Sequence, residues 1–190
     1  MNRRIALQQL GFISVSALLL PSCVTQERKV SIALKNITIT GDQEVLLSEI
    51  AEAIIPATDA PGAKEMNLQS FVLRMVDDCQ DSETQKEFER GLGEFEKAVD
   101  KKYSRSFAEC TPSERKAFLL ETEELAKQAR KDDTKTPLTT LYSLTKRYTV
   151  QGFVSSEYIM TNKLVYNMTP GKFVGCVPIK DKNDILTVIG

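Results

Sequence analysis

The chain has 190 residues and contains neither histidine nor tryptophan. Histidine is the side chain that titrates nearest neutral pH, so the commonest general acid and base is missing. The Ser-His-Asp triad, the HExxH zinc site, the 2-His-1-carboxylate iron site and the CxxCH haem motif are all excluded. A haem held by a protein histidine is impossible. There is no excess of either charge: 25 basic residues stand against 26 acidic ones. Nothing in that balance, or in an aromatic share of 7%, points to nucleic acid. No GxGxxG follows a strand pattern and no GxxxxGK[ST] occurs, so no flavin, nicotinamide or nucleotide site is expected. Lys, Asp, Glu, Tyr and Cys could still do chemistry, but no catalytic, cofactor-binding or metal-binding residue stands out. The expectation moves from enzyme to accessory or binding protein.

The composition is otherwise that of a globular chain, 42% apolar and 27% charged. Its first 22 residues read as an address. Arg3 and Arg4 precede an apolar run from Leu10 to Leu20, and Leu20-Pro21-Ser22-Cys23 follows. The run is about 11 residues, too short to span a bilayer, and matches a secretory signal. The arginine pair resembles a twin-arginine signal; an ordinary Sec signal with two early arginines is the alternative. The last four residues resemble a bacterial lipobox with Cys23 as the lipidated first residue, although Pro21 is unusual there. Export to the periplasmic side of the envelope on a lipid tether is the expectation.

Residues 23–29 then form a tether and 30–190 one helical domain. Val30, Ile32, Leu34, Ile37 and Ile39 alternate with polar residues, which predicts a short strand or hairpin broken at Asn36. Thr40 opens a first helix that Pro56 stops, and a turn-rich loop runs from Pro56 to Ala63. Leu68, Phe71, Val72, Met75, Val76 and Cys79 make a helical stripe that places Cys79 on a buried face. Ser82 with Gln85 reads as a capping box for a third helix ending near Tyr103. Thr111-Pro112-Ser113-Glu114 starts a fourth. Thr136-Pro137 starts a fifth, which Gly152 ends. Ser156-Glu157 begins a short last helix to about Val165. An irregular loop and tail follow. The fold expected is mainly α: a compact bundle of five or six helices, with the N-terminal strand and an irregular C-terminal loop.

Asp77 and Asp78 point about 100 degrees apart on a helix, so they do not converge on one ion and read as its solvated edge. Glu121, Glu123 and Glu124 read as a charged face, and Asp132-Asp133 lacks calcium-loop spacing. Gly91-Leu92-Gly93 lies inside a helical pattern, lacks the third glycine of a dinucleotide loop, and reads as a point of close backbone approach. Outside the cytosol thiols oxidise. With Cys23 lipidated, Cys79, Cys110 and Cys176 remain. Cys79 could pair with Cys176, or Cys176 could bond another chain, or both could stay free. Cys110 reads as a plain thiol.

The order of these features resembles the gluconate 2-dehydrogenase subunit 3 family, across roughly Thr40 to Pro178. The specific segments are Ala53 to Ala63, and Pro170-Gly171-Lys172-Phe173-Val174-Gly175-Cys176-Val177-Pro178. Phe107 to Pro112, Gly152 to Glu157 and Val165-Tyr166 accompany them. The resemblance implies a small subunit that accompanies a large FAD-bearing dehydrogenase subunit, with a cytochrome c as a further partner. FAD, and haem c where present, would sit on those partners. It implies a role in export, folding and membrane attachment of the large subunit, which oxidises a sugar or sugar acid. The partner surface is expected at Ile55, Pro56, Pro61, Gly62, Phe173, Cys176, Val177 and Pro178. A stand-alone envelope lipoprotein acting as a binding module is the competing reading.

Overall fold

The computed structural model describes residues 28–163 and residue 176. Among these, regular structure is all helical. Five long helices are α1 (Gly41–Ile54), α2 (Leu68–Cys79), α3 (Ser82–Tyr103), α4 (Pro112–Lys131) and α5 (Pro137–Val154). A short α6 (Glu157–Asn162) follows, and a 3-10 turn (Phe107–Glu109) bridges α3 and α4. Thr40, Thr111 and Thr136 each close a capping box, and Pro112 and Pro137 begin their helices where no backbone N–H is needed. The third cap differs from the sequence expectation. Asp81, not Ser82, accepts the N–H groups of Glu83 and Thr84.

Helix α5 is the axis of the body and packs against every other helix. Thr139, Leu141, Tyr142, Thr145, Tyr148, Thr149 and Gly152 are its buried residues. Two glycines let it approach. A methyl group at Gly91 would collide with the Pro137 carbonyl and lie 2.7 Å from Leu141 Cβ. One at Gly152 would lie 2.8 Å from the Phe71 ring. Gly152 therefore does not end α5, as the sequence suggested; it is a contact point, and the helix runs on to Val154. A knot of edge-on rings closes the far end: Phe95 meets Phe107 and Phe118, each at 5.1 Å between centroids.

The expected strand is absent from the described residues. Residues 30–40 run as an irregular strap, yet the alternation held: Ile37 and Ile39 are buried and Val30, Ile32 and Leu34 pack against the core. With no partner strand, the strap's backbone donors go to carboxylates on three helices. Ser31 donates through N and Oγ to Glu44 of α1. Lys35, Asn36 and Ile37 donate their N–H groups to Asp77 of α2, at 2.9, 2.7 and 2.9 Å. Thr38 N donates to Glu89 of α3.

Asp77 is thus no solvated edge. It is buried, and Cys79, expected inside, is exposed. The buried face of α2 is Leu68, Val72, Leu73, Val76 and Asp77, turned by about one residue from the apolar stripe. The end of α2 is finished by side-chain amides. Gln85 Nε2 donates to the carbonyls of Val76 and Asp77, and Asn36 Nδ2 also donates to Asp77 O at 2.7 Å. Burial pushes the Asp77 carboxyl up, but the three N–H groups and the Lys35 charge outweigh it and hold it below the usual 3.8.

Candidate functional site

The turn-rich segment between α1 and α2 is where the sequence-predicted contact residues gather. Its base is closed by Ala63 N donating to Ile55 O at 3.0 Å, and its tip by Thr58 N donating to Ala60 O at 3.0 Å. Glu52, on the last turn of α1, reaches across it. Its carboxylate accepts Ala57 N at 3.2 Å and Lys64 N at 2.8 Å. A methyl group at Gly62 would lie 2.5 Å from Glu52 Oε1 and 2.7 Å from Ala57 N. Gly62 is therefore required by the carboxylate staple and not by a positive φ. The loop is inner on one side and outer on the other. Ile55 packs on the small cluster of Ala51, Ala63 and Leu68 with Met66 and Phe153. Pro56, Ala57, Thr58 and Asp59 are exposed, and Pro61 is half-buried.

The loop is tied at both ends. Lys64 Nζ donates to Glu49 of α1, whose other oxygen takes Arg115 Nη1 at 2.7 Å. Arg115 Nε also donates to the carbonyls of Phe107 and Cys110, at 3.0 and 3.1 Å. At the tip, Tyr158 of α6 donates its hydroxyl to Asp59 O at 3.4 Å. The result is a rigid, proline-bearing surface feature presented beside α6.

Of the sequence-predicted residues, Ile55, Pro56, Pro61 and Gly62 come together in this loop. Cys176 is exposed. Arg3, Arg4, Cys23, Phe173, Val177 and Pro178 lie outside the described residues. Cys79, Cys110 and Cys176 are free thiols, so the Cys79–Cys176 bond is not formed in the structure. Cys110 is buried and its Sγ donates to Ser106 O. Burial and the Glu114 charge push its pKa up, which keeps it protonated and poorly nucleophilic. Glu52, Lys64 and Tyr158 carry the loop but were not singled out in the sequence. The one available signal was Gly62 next to Pro61, which marks a crowded turn without naming what crowds it.

No group of three or more Cys, Asp or Glu side chains is placed to hold a metal ion among the described residues. No described helix is long and apolar enough to cross a membrane. A cleft of 410 Å³ between α1, α3 and the 3-10 turn is floored by Val45, Leu46 and Phe107 and rimmed by Asp42, Glu96 and Asp100. Burial and the nearby Asp42 raise the Glu96 pKa. Ser106 also lines the cleft, and its hydroxyl donates to Glu109 at 2.8 Å as the cap of the 3-10 turn, so the loop remains the better defined feature.

Comparison with known proteins gives one finding. The model of the family described as gluconate 2-dehydrogenase subunit 3 matches residues 41–171, a span that contains the stapled loop, α6 and the aromatic knot. No curated protein and no solved structure matches the chain.

Proposed function

Because the chain belongs to the gluconate 2-dehydrogenase subunit 3 family, we propose that it is a non-catalytic small subunit of an exported, flavin-dependent dehydrogenase complex. Family membership implies a subunit of a dehydrogenase complex; the division of labour is our reading. The large partner carries FAD and the substrate site, and a cytochrome carries haem c where one is present. This chain supplies the export signal through Arg3 and Arg4, the lipid anchor through Cys23, and a docking face. The assembled complex sits on the periplasmic side of the envelope.

The observation that carries this reading is the family match over 41–171. The geometry supports it at the loop. Side-chain hydrogen bonds from Glu52, Glu49 and Tyr158 tie this surface segment to α1 and α6. Such a segment binds a partner with a smaller ordering penalty than a loose one.

Isolation of the full chain from native membranes, with a visible spectrum of the purified fraction, tests the proposal. A larger chain with flavin absorbance is expected to co-purify. Exchange of both Arg3 and Arg4 for lysine should strand that chain, still yellow, in the cytoplasm. Recovery of this protein alone, without flavin, would overturn the reading in favour of a stand-alone lipoprotein.

A further inference from the structure

A second surface lies on α4 and α5. The two helices wall a groove of 690 Å³. Four basic side chains line it, Lys127 and Arg130 from α4 and Lys146 and Arg147 from α5, against one acid, Glu123. The chain as a whole carries a net charge of -1, so the groove inverts the sign of the molecule.

Glu123 is already engaged. It accepts Lys146 Nζ at 2.6 Å and Tyr142 Oη at 3.2 Å, and Lys127 lies 3.7 Å away. Lys127 also reaches Glu124 at 2.7 Å. The two arginines have no carboxylate partner among the described residues. Arg130 makes only a 3.5 Å contact to Ser143 Oγ, and Arg147 lies over the Tyr148 ring. Planar guanidinium forks without partners suit bidentate capture of carboxylates. At one end the groove reaches Val150, 43% exposed, and one turn further along α5 stands Val154, 52% exposed. Phe153 between them packs on the loop cluster. An apolar ridge on α5 therefore joins the groove to the proposed docking loop.

We propose that this groove seats an acidic, amphipathic segment of the flavin-bearing partner, with Arg130 and Arg147 taking its carboxylates and Val150 and Val154 its apolar face. The inference rests on the proposed function for the identity of the partner. A groove with two helical walls fits a narrow segment better than the plane of a lipid surface. Charge complementarity of this kind sets partner choice and the rate of encounter.

The test is the complex from native membranes, prepared with wild-type chain, with the R130E/R147E double variant and with the milder R130Q/R147Q pair. Flavin recovered per small subunit is read in low-salt and high-salt washes. Charge reversal is expected to lower recovery roughly tenfold, the glutamine pair less, and salt should weaken wild type more than either variant. The isolated glutamine pair should melt close to wild type, since neither arginine pairs with a carboxylate among the described residues, and it controls for the cost of a negative charge in the last turn of α4 in R130E/R147E. Equal flavin recovery from all three proteins overturns the inference and leaves the proposed function standing. Absence of flavin from the wild-type preparation overturns the proposed function itself. Binding of the isolated chain to phosphatidylglycerol vesicles, or its self-association, lost in R130E/R147E while flavin recovery is unchanged, assigns the groove to a membrane or a second copy and overturns the inference.

Discussion

Two irregular segments of this protein are held in the same chemical way and do opposite things. The strap of residues 30–40 and the loop of residues 55–64 both lack regular hydrogen bonding, and both give backbone N–H groups to carboxylates on neighbouring helices. In the strap the carboxylates come from three helices and the apolar side chains point inward, with Ile37 and Ile39 buried. In the loop the staple comes from the adjacent helix end, and the tip from Pro56 to Asp59 faces solvent. A carboxylate that collects N–H groups fixes backbone without specifying which way the side chains face. Side-chain polarity decides that. The strap is therefore part of the core, and the loop is a display element on top of it.

The sharpest way to break the comparison is at Asp77. Asp77→Ala leaves three N–H groups without their acceptor and unties Ile37 from the core, and should destabilise the fold by about 2–4 kcal/mol. Chemical denaturation of the variant against wild type measures it. The pH dependence follows from the sign of the shift. The folded carboxyl sits below the usual 3.8, so its contribution is fully present above that value and disappears as pH falls through the lower, folded one. Asp77→Asn should flatten that acid limb of a stability-against-pH curve while losing less at neutral pH than the alanine. An unchanged acid limb would mean that the strap is not held by this charge.

Next in size is Ile37→Ala, which removes a buried side chain from the strap and should cost about 2–3 kcal/mol in the same assay. Arg115→Met follows. It removes a guanidinium that ties the 3-10 turn to Glu49, and about 1–2 kcal/mol is expected, with the loss reduced at high salt only slightly because the pair is half-buried.

Much of this architecture was legible in the residues. The caps at Thr40, Thr111 and Thr136 are local chemistry over three or four positions, and each appeared where the pattern placed it. The close approach read at Gly91-Leu92-Gly93 holds at Gly91, against Pro137 and Leu141, and not at Gly93, where a methyl group would meet nothing within 4 Å. What failed was set by distant partners. By spacing Asp77 belongs to the solvated edge of α2, and only residues some forty positions earlier reveal why it is buried. Once Asp77 turns inward, α2 rotates and Cys79 turns out. The strap's alternation was read correctly for burial and wrongly for hydrogen bonding, because period two does not say what accepts the N–H groups. At the loop, Pro56, Pro61 and Gly62 could be found in the sequence, whereas Glu52 looked like any helical acid.

Glu52 therefore gives the smallest effect on stability and the most informative one on function. Its carboxylate accepts two N–H groups at an exposed site, where water replaces a lost acceptor, so Glu52→Ala should cost under about 1 kcal/mol. The loop would then sample other conformations, and the ordering penalty avoided by the staple would return on binding. The expected result is a variant that unfolds almost with wild type yet retains clearly less of the flavin-bearing chain through a wash. Glu52→Gln keeps one acceptor oxygen and should fall between the two. If Glu52→Ala holds its partner as firmly as wild type, the loop is not the display element, and its likeness to the strap is structural only. If stability and partner retention fall together, and by as much as in Asp77→Ala, the loop belongs with the strap as part of the core.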